Sequence, residues 1–543
     1  MPIYEEKMKE KVKGNIDKII GMALFILACF FLVRSFFLSM STDIWYDELF
    51  SMRFANSSVA ELVSRTARDV HPPLYYLILK GFLVFFGKGT GVPLEIIAKM
   101  VSIVPLILLF IYSMTVIRKR FGLLTAGLFS FMVVSMPALP EYTTEIRMYT
   151  WALFFVTAAL LHGFNLMRDM LEGKAKWDIG NGFALWLYGT AAAYTHYYAA
   201  LSVGIIYGII FIWMLVTYLK NMKDPDHKGK LGAKAFAMLI ICGNLTVVSY
   251  IPWISVLLSQ VKQVSGSYWI QPVGLRSFGS VIKYLFSGYF SNSKVTVVLA
   301  VIMFLFVAAL FVLSFMKFIK EKEIESCEQF FAFLVLPVLV VFGIVVSILM
   351  RPVFANRYMI PALGCFYLAI AIGIGEYFKN SAKKVLKISY CLFTVIVVIV
   401  GCVDFKAFIG NEEYRQVNMD KTLEFFASLD PDTVIISNFD HVQGLLDYYL
   451  NSGAYSEDQY GIYLYYAEPE TLVKEMGTGL YTIEDSIDIE NYLLSGKKVL
   501  FLGSFNSREV LLEEWYNDYG ITSENLGSYL MERYWFDVFE LSL

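Results

Sequence analysis

Charged side chains are scarce in this sequence, and their scarcity excludes an ordinary soluble protein. Of 543 residues only 17% are charged, whereas 57% are hydrophobic and 16% are aromatic. A soluble globular domain does not have so apolar a composition. The composition therefore predicts a polytopic α-helical membrane protein.

Cysteine is scarce as well, and glycine-rich phosphate loops are missing. The six cysteines include no CxxC pair, and none of them follows residue 405. We therefore predict neither disulfides nor a structural zinc site. Because no phosphate loop opens a helix in the C-terminal part, we predict no nucleotide site there.

The few charges are segregated along the chain. Residues 406–543 carry 25 acidic and 8 basic side chains, whereas residues 1–405 carry 23 acidic and 37 basic ones. Hydrophobic runs also shorten to strand length after about residue 406. We predict a transmembrane domain over 1–405 and a soluble α/β domain over 406–543. The predicted strands are 433–437, 461–465, 498–503 and 535–541, and the predicted helices are 441–451 and 507–519.

Apolar runs near the length that a bilayer requires predict about eleven transmembrane helices. They lie at about 19–40, 92–117, 121–138, 149–167, 180–199, 200–219, 235–258, 295–316, 329–350, 358–378 and 387–405. Residues 72–86 form a shorter run that begins with two prolines and contains Lys80. On length we interpret this run as re-entrant or interfacial, within a first loop (41–91) that carries amphipathic helices.

Basic residues predict the orientation of the chain. Five lysines precede the first span, which places the N-terminus in the cytoplasm, and no cleavage site follows it. If 72–86 does not span, five further basic clusters also lie in the cytoplasm; if it spans, all five move outside. The first arrangement obeys the positive-inside rule. We therefore expect a multi-pass cell-membrane protein whose C-terminal domain is extracytoplasmic.

With this orientation, polar residues from several segments gather at the external face. They are Asp47, Glu48, Asp69, His71, Glu141, Glu145, Arg147, Tyr149, His196, Arg351, Arg357 and Tyr358. Charged groups at bilayer depth usually face a cavity and mark a functional path. Each residue also has a structural interpretation: the Asp47–Glu48 pair could cap a helix, the histidines could lie in turns or at the interface, and the arginines could anchor lipid phosphates.

Together these residue types favour one kind of chemistry. A carboxylate can accept the proton of a hydroxyl nucleophile as a general base. An arginine near the outer leaflet suits a phosphate, because its guanidinium donates two parallel hydrogen bonds. A lipid-linked phosphate substrate fits a cavity that is open to both bilayer and water.

The order of the motifs resembles the GT-C membrane glycosyltransferases. The Asp47–Glu48 pair is followed by Asp-x-His-Pro-Pro-Leu-Tyr-Tyr (69–76), Glu-x-Arg-Met-Tyr (145–149), Thr-His-Tyr-Tyr (195–198) and Arg-Tyr-x-x-Pro (357–361). The resemblance covers about residues 15–405. It is closest to the bacterial branch grouped with protein O-mannosyltransferases and the aminoarabinose transferase (glycosyltransferase family 39-like). The C-terminal domain lies outside it.

The resemblance implies an inverting transferase that takes a sugar from a polyprenyl-phosphate donor at the external face. The acceptor would be a cell-wall polymer, a lipid or a protein, and no nucleic acid would take part. Asp47 would be the general base and Glu48 would orient the acceptor or sugar. Substrate-binding residues would be His71, Glu145, Arg147, Tyr149, His196, Arg351, Arg357 and Tyr358, and the sequence does not choose which arginine binds the phosphate.

The resemblance implies no metal or other cofactor, although His196 with Glu145 could form a divalent-metal site. A tryptophan-rich peptide-binding module like that of oligosaccharyltransferases is absent, which disfavours recognition of a protein sequon. Two other functions remain open: a transporter or flippase for a lipid-linked sugar, and a membrane-anchored binding or sensor protein. The charges lie at one end of the spans only, and no paired interrupted helices occur, which disfavours a transporter.

Overall fold

The computed structural model divides the chain into two compact units. It describes residues 2–41, 43–87, 89–174, 176–223, 232–266, 270, 272–321, 323–380, 384–452, 460–465, 481–483 and 486–543. Parts of two of the five predicted cytoplasmic basic clusters, those at 220–234 and 379–387, therefore lie outside the described residues. Unit 1 comprises Met1–Phe37, Thr66–Leu79 and Lys99–Phe408; unit 2 comprises Leu38–Arg65, Lys80–Ala98 and Ile409–Leu543.

Long apolar helices dominate the first 427 residues. In chain order the helices are α1 (Pro2–Leu38), α2 (Tyr46–Asn56), α3 (Val59–Arg68), α4 (Leu74–Gly87), α5 (Leu94–Tyr112), α6 (Arg118–Phe121), α7 (Leu123–Ser135), α8 (Tyr149–Leu171), α9 (Ile179–Thr195), α10 (Tyr197–Lys223), α11 (Ala233–Gly266), α12 (Leu275–Phe286), α13 (Ser293–Lys320), α14 (Ile324–Leu349), α15 (Ile360–Asn380) and α16 (Lys384–Ala427). The expected domain boundary at 405–406 falls within α16.

The polytopic membrane fold is confirmed, with a smaller number of full-length spans than the sequence predicted. Among the described residues nine helical stretches are long and apolar enough to cross a membrane, compared with about eleven expected. The two that differ are α7 with 13 residues and α9 with 17. Helix α7 ends early because Met136, which precedes Pro137, adopts an extended backbone. The 72–86 run forms α4, whose 14 residues are too short to span.

Helices α8 and α15 form the centre of unit 1. Helix α8 packs against α9, α10 and α15, and α15 also packs against α7 and α14. Within the span Asn356–Tyr377, every residue from Tyr358 to Gly375 is buried by its neighbours. At one crossing the backbones of α1 and α7 touch, because a Cβ added at Gly21 or at Gly127 would overlap the backbone of the other helix.

His162 of α8 has a structural role. Its Nε2 lies 2.9 Å from the hydroxyl of Tyr112, and its Nδ1 lies 2.7 Å from Oδ1 of Asn181. Both ring nitrogens are therefore hydrogen-bonded to neighbouring helices. His162 therefore links α8 to α5 and α9.

The C-terminal part of unit 2 is a six-stranded mixed sheet with helices, which confirms the predicted α/β fold. The strands are β1 (Val434–Ser437), β2 (Gly461–Tyr465), β3 (Tyr481–Ile483), β4 (Val499–Gly503), β5 (Thr522–Met531) and β6 (Tyr534–Ser542), in the order β3-β2-β1-β4-β6-β5. Strands β1 to β4 are parallel and β6 pairs antiparallel with β4 and β5. The helices are α17 (Asp440–Asp447), α18 (Ser486–Leu494) and α19 (Ser507–Tyr519).

The core of this sheet lies under its central strands. Every residue of β1 and β4 is buried, which explains why both read as continuous apolar runs. Trp515 of α19 packs edge-on against Phe501 at 4.8 Å between ring centroids. Strands β3 and β5 were not predicted. Half of the residues of β5 are exposed and polar, four of them consecutive, so the strand lacks the alternation that marks a half-buried strand.

Candidate active site

The predicted site residues fall in both units. Asp47 and Glu48 belong to unit 2. Unit 1 contains His71, Glu145, Arg147, Tyr149, His196, Arg351, Arg357 and Tyr358.

The acidic pair opens helix α2. Trp45, immediately before the helix, has an extended backbone, and its amide donates to Oε2 of Glu48 at 2.9 Å. This contact is the reciprocal half of a capping box. Glu48 is fully buried, whereas Asp47 is half-buried. Negative charge in the first turn also suits the helix dipole. Of the pair, only Asp47 is partly exposed.

In unit 1 a group of histidine and tyrosine rings surrounds His196. The backbone of His196 is extended and separates α9 from α10. Its ring centroid lies 5.3 Å from that of Tyr358, 5.6 Å from that of Tyr149 and 6.1 Å from that of His71. The amide of Tyr198 donates to Nδ1 of His196 at 3.1 Å, which assigns the ring proton to Nε2.

His71 is oriented by the residue two positions before it. Its Nδ1 lies 2.8 Å from Oδ2 of Asp69, whose side chain is buried. A carboxylate at one ring nitrogen fixes the imidazole in place and leaves the other nitrogen for a further contact. The Asp-x-His spacing of the 69–76 motif therefore forms an Asp–His pair.

The 141–149 motif occupies the break between α7 and α8. After the prolines at 137 and 140 the chain makes a 3-10 turn, Glu141–Thr143, and α8 begins at Tyr149. Glu145, Arg147 and Tyr149 are all buried. The rings of Tyr149 and Tyr142 pack edge-on at 4.9 Å. Arg147 and Arg357 both lie near enough to His196 to act on it electrostatically.

A cavity of about 230 Å³ in unit 1 borders several of these residues. Its polar or charged lining consists of His71, His196, Tyr197, Tyr198, Gln260, Arg351 and Tyr358. Its apolar lining comes from α10, α11 and α14 and from the segment after α14, and consists of Leu201, Leu257, Val261, Phe342, Val346, Met350 and Val353, with Val70 from the first loop. Arg147, Arg357, Glu145 and Tyr149 do not line it. The cavity thus combines a guanidinium with an extensive apolar wall.

Sequence reasoning missed Gln260 as a site residue. Its Nε2 donates to the carbonyl of Thr66 at 2.8 Å, and its Oε1 accepts from the hydroxyl of Tyr197. Gln260 therefore holds the end of α3 beside the cavity. In the sequence Gln260 is only a glutamine near the end of an apolar helix, and this pattern predicts no particular role.

The described part of the chain contains no group of three or more His, Cys, Asp or Glu side chains arranged to hold a metal ion. Glu145 and His196, considered above as metal ligands, thus lack a third ligand of these types there.

No family model and no curated protein matches the chain. Among solved structures, ArnT from Cupriavidus metallidurans in the apo state matches with a TM-score of 0.53 at 11% identity, over 95% of this chain and 97% of that one. ArnT bound to undecaprenyl phosphate gives a TM-score of 0.49 at 13% identity, over 95% and 98%. Archaeal oligosaccharyltransferase AglB from Archaeoglobus fulgidus, in complex with an inhibitory peptide and a dolichol-phosphate, gives 0.41 at 10%, over 78% and 63%.

The match to apo ArnT shows that this chain shares the fold of ArnT, and it extends over nearly the whole of both chains. The GT-C fold implied by the order of the motifs is therefore confirmed. At this level of identity the likeness concerns the fold alone.

Proposed function

We propose that the chain is an integral-membrane glycosyltransferase. It moves a sugar from a polyprenyl-phosphate donor to an extracytoplasmic acceptor, which is a cell-wall polymer, a lipid or a protein. The order of the sequence motifs and the ArnT-like fold support this class of reaction. The observation that carries the proposal is the cavity of unit 1, where Arg351 and His71 border an apolar wall.

The cavity suits the donor because a polyprenyl phosphate has two chemically different ends. The phosphate carries negative charge, and a guanidinium binds it with paired, charge-assisted hydrogen bonds. The isoprenoid chain is apolar and gains free energy where it leaves water for a hydrophobic wall. Among the three candidate arginines, Arg351 is the one that lines this cavity, so we assign it to the phosphate.

In the proposed reaction Asp47 is the general base. Its carboxylate accepts the proton of the acceptor hydroxyl while that oxygen attacks the anomeric carbon of the sugar. The bond between the anomeric carbon and the phosphate oxygen breaks on the opposite side, and the polyprenyl phosphate leaves with the electron pair. Configuration at the anomeric carbon is therefore inverted. The half-buried position of Asp47 supports this assignment, and Glu48 is proposed to orient the acceptor or sugar in addition to its contact with Trp45.

Replacing the base tests this proposal. We expect Asp47→Asn to lower kcat for sugar transfer by about 10²- to 10⁴-fold, because an amide cannot accept the proton. The assay follows a new glycosidic bond formed from a radiolabelled polyprenyl-linked donor in detergent. Asp432→Asn, at an exposed position of unit 2, is the matched control. Near-normal turnover in Asp47→Asn would remove the base assignment, and movement of the donor across vesicles with no bond formed would indicate a flippase.

We also propose that transfer requires no metal ion. A metal-free reaction keeps its rate after exhaustive treatment with EDTA, measured in the same assay with buffer-treated enzyme as control. Loss of activity that Mg²⁺ or Mn²⁺ restores would overturn this part of the proposal.

A further inference from the structure

Within unit 2, the first residue of helix α2 contacts the C-terminal sheet domain in three ways. The Tyr46 amide donates to Oε1 of Glu532, and the Tyr46 hydroxyl donates to Oδ2 of Asp440 at 3.2 Å. The Tyr46 ring stacks on His441, with 3.9 Å between centroids and 11° between planes. Tyr46 is the neighbour of Asp47, so these contacts fix the turn from which the proposed base projects.

Glu532 and His441 also contact each other. Oε2 of Glu532 lies 3.3 Å from Nδ1 of His441. The two oxygens of this carboxylate therefore contact Tyr46 and His441, respectively. The second face of His441 stacks on Phe439 at 4.6 Å, and Tyr534 meets its edge at 5.8 Å. The imidazole is thereby enclosed between two aromatic rings and held by a carboxylate that also binds the helix.

Glu532 occupies a backbone position that disfavours it. It is the first of the two residues that join β5 to β6, and its φ is +56°. Glycine is the residue that tolerates the left-handed region without steric cost. The side chain is nevertheless almost fully buried, at 2% exposure. A buried carboxylate at a glycine-type position indicates that its contacts outweigh the backbone strain, as is common at functional positions.

The surface that receives Tyr46 lies at the carboxyl ends of parallel strands. Strands β1 and β4 are neighbours. The strand order reverses at this point, because β2 and β3 lie on one side of β1 and β4 lies on the other. In open α/β sheets ligands bind at such a switch point. Asn438, after β1, bridges to the residue after β4: its Nδ2 donates to the Ser504 carbonyl at 2.9 Å, and its Oδ1 accepts the Ser504 amide at 2.8 Å. Phe439, Asp440 and His441 follow directly, so this edge of the sheet presents side chains to helix α2.

Further contacts hold the rest of the segment around α2. The Ile44 amide donates to the hydroxyl of Tyr449 at 2.8 Å, and Arg53 donates to Asp447 at 3.2 Å. The guanidinium of Arg415 binds Asp43 at 3.1 Å. The segment is therefore held before, at and after the acidic pair.

We propose that the C-terminal sheet domain positions the catalytic base, with Glu532 and His441 as positioning residues that fix the first turn of α2. This inference rests on the proposed role of Asp47. The sheet edge that commonly takes a small-molecule ligand in this topology binds a helix of the same chain instead. Glu532 and His441 need not touch the substrate, because they act on Asp47 through Tyr46.

The decisive variant is Glu532→Gly. Glycine suits a φ of +56°, so the backbone strain is relieved while the carboxylate is removed. We expect the purified full-length protein to remain folded, with a lower melting temperature because the contacts of Glu532 are lost. We expect kcat to fall by about 10- to 100-fold and the donor KM to stay within about twofold, because misplacing a base weakens chemistry rather than donor binding. Glu532→Asp should restore part of kcat. Glu524→Ala, an exposed carboxylate of the same hairpin, is the control.

A second readout separates positioning from general stability. Amide hydrogen exchange at Tyr46–Phe50 should become faster in Glu532→Gly and in His441→Ala, and stay unchanged in Asp47→Asn. Unchanged kcat in a folded Glu532→Gly, with Asp47→Asn inactive, would overturn the positioning role alone. Full activity of Asp47→Asn would overturn the proposed base, and with it the reason for positioning. A fall in kcat without faster exchange in α2 would likewise contradict the inference.

Discussion

At the residue scale, the two members of the acidic pair have different environments although they are adjacent. Glu48 is buried, and its carboxylate accepts the amide of Trp45. Asp47 is half-buried and lies among the charges that act on His441. An acceptor must reach the base, so the partial exposure of Asp47 supports its proposed role.

The second residue with a separable role is Arg351. We expect Arg351→Gln to raise the donor KM by about 10- to 100-fold, since a hydrogen bond to a charged group contributes about 1.5–3 kcal/mol. Arg276→Gln, at an exposed arginine of α12, is the matched control and should leave the donor KM unchanged. Steady-state kinetics at varied donor concentration measure the effect. A KM that rises instead for Arg357→Gln or Arg147→Gln, with Arg351→Gln normal, would move the phosphate to another arginine.

The environment of a third residue, His441, predicts that the stability of the protein depends on pH. Burial alone lowers its pKa, but the hydrogen bond to Glu532 and the charges of Glu532, Asp440 and Asp47 outweigh burial and raise the pKa above the usual 6.5. The titratable groups around its ring are those three carboxylates, Tyr46 and Tyr534. A histidine with a raised folded-state pKa contributes stability that is complete below about 6.5 and is lost as pH rises through the folded value.

We therefore expect the melting temperature of the wild type to exceed that of His441→Phe by more at about pH 5.5 than at about pH 8.5. Phenylalanine keeps the stacking on Tyr46 and Phe439 but removes the ring nitrogens. The comparison repeated in a Glu532→Gln background should show a smaller pH dependence, because the main partner of the imidazolium is gone while Asp440 and Asp47 remain. Parallel melting curves for wild type and His441→Phe across this range would contradict the assignment.

Some residue-level features were predictable from the sequence and others were not. The Asp-x-His spacing of Asp69 and His71 places both in one turn, so their pairing follows from local geometry. The contact of Glu532 with Tyr46 joins positions 486 residues apart. Nothing in the local pattern around Glu532 indicates this partner, because only the tertiary fold brings a hairpin turn to a helix terminus.

At the element scale, long elements with strong periodicity were predictable and short ones were not. The runs at 434–437 and 499–503 were predicted within one residue, because strands buried on both faces are continuously apolar. Helix α7 was predicted too long, since its apolar run continues past the point where Pro137 ends the helix. Strand β5 was missed because its pairing with β6, not its own apolar pattern, makes it a strand.

The crossing of α1 and α7 supplies a test at this scale. A methyl group at Gly127 would meet the backbone of Gly21, which no side-chain rotation can relieve. We expect Gly127→Ala to lower the unfolding free energy by about 1–3 kcal/mol, the usual cost of overpacking. Gly204→Ala, where no heavy atom lies near the added methyl group, is the control and should be neutral or slightly stabilising. Thermal unfolding in detergent compares the two variants. Equal stability would show that α1 and α7 can move apart at no measurable cost.

At the scale of the whole molecule, the distribution of charge and the polytopic fold together predict an orientation. The apolar part carries 37 basic and 23 acidic residues, whereas 406–543 carries 8 basic and 25 acidic ones. Short cytoplasmic loops are rich in lysine and arginine, whereas aspartate and glutamate have little influence on orientation. We therefore propose that the N-terminus is cytoplasmic and that the C-terminal domain lies outside, on the side where a lipid-linked sugar would be consumed.

Labelling with a membrane-impermeant maleimide tests this orientation, because residues 406–543 contain no cysteine. In a cysteine-free background, Ser523→Cys on the exposed face of β5 should be labelled in intact cells, whereas Lys119→Cys in the basic α6 should be labelled only after permeabilisation. Protease added outside cells should likewise trim the 406–543 domain. If Lys119→Cys alone were labelled in intact cells, the side of the membrane assigned to every loop would be reversed. The cavity would keep its lining, but Asp47 and the external motifs would then face the cytoplasm, and the donor would have to be drawn from the inner leaflet.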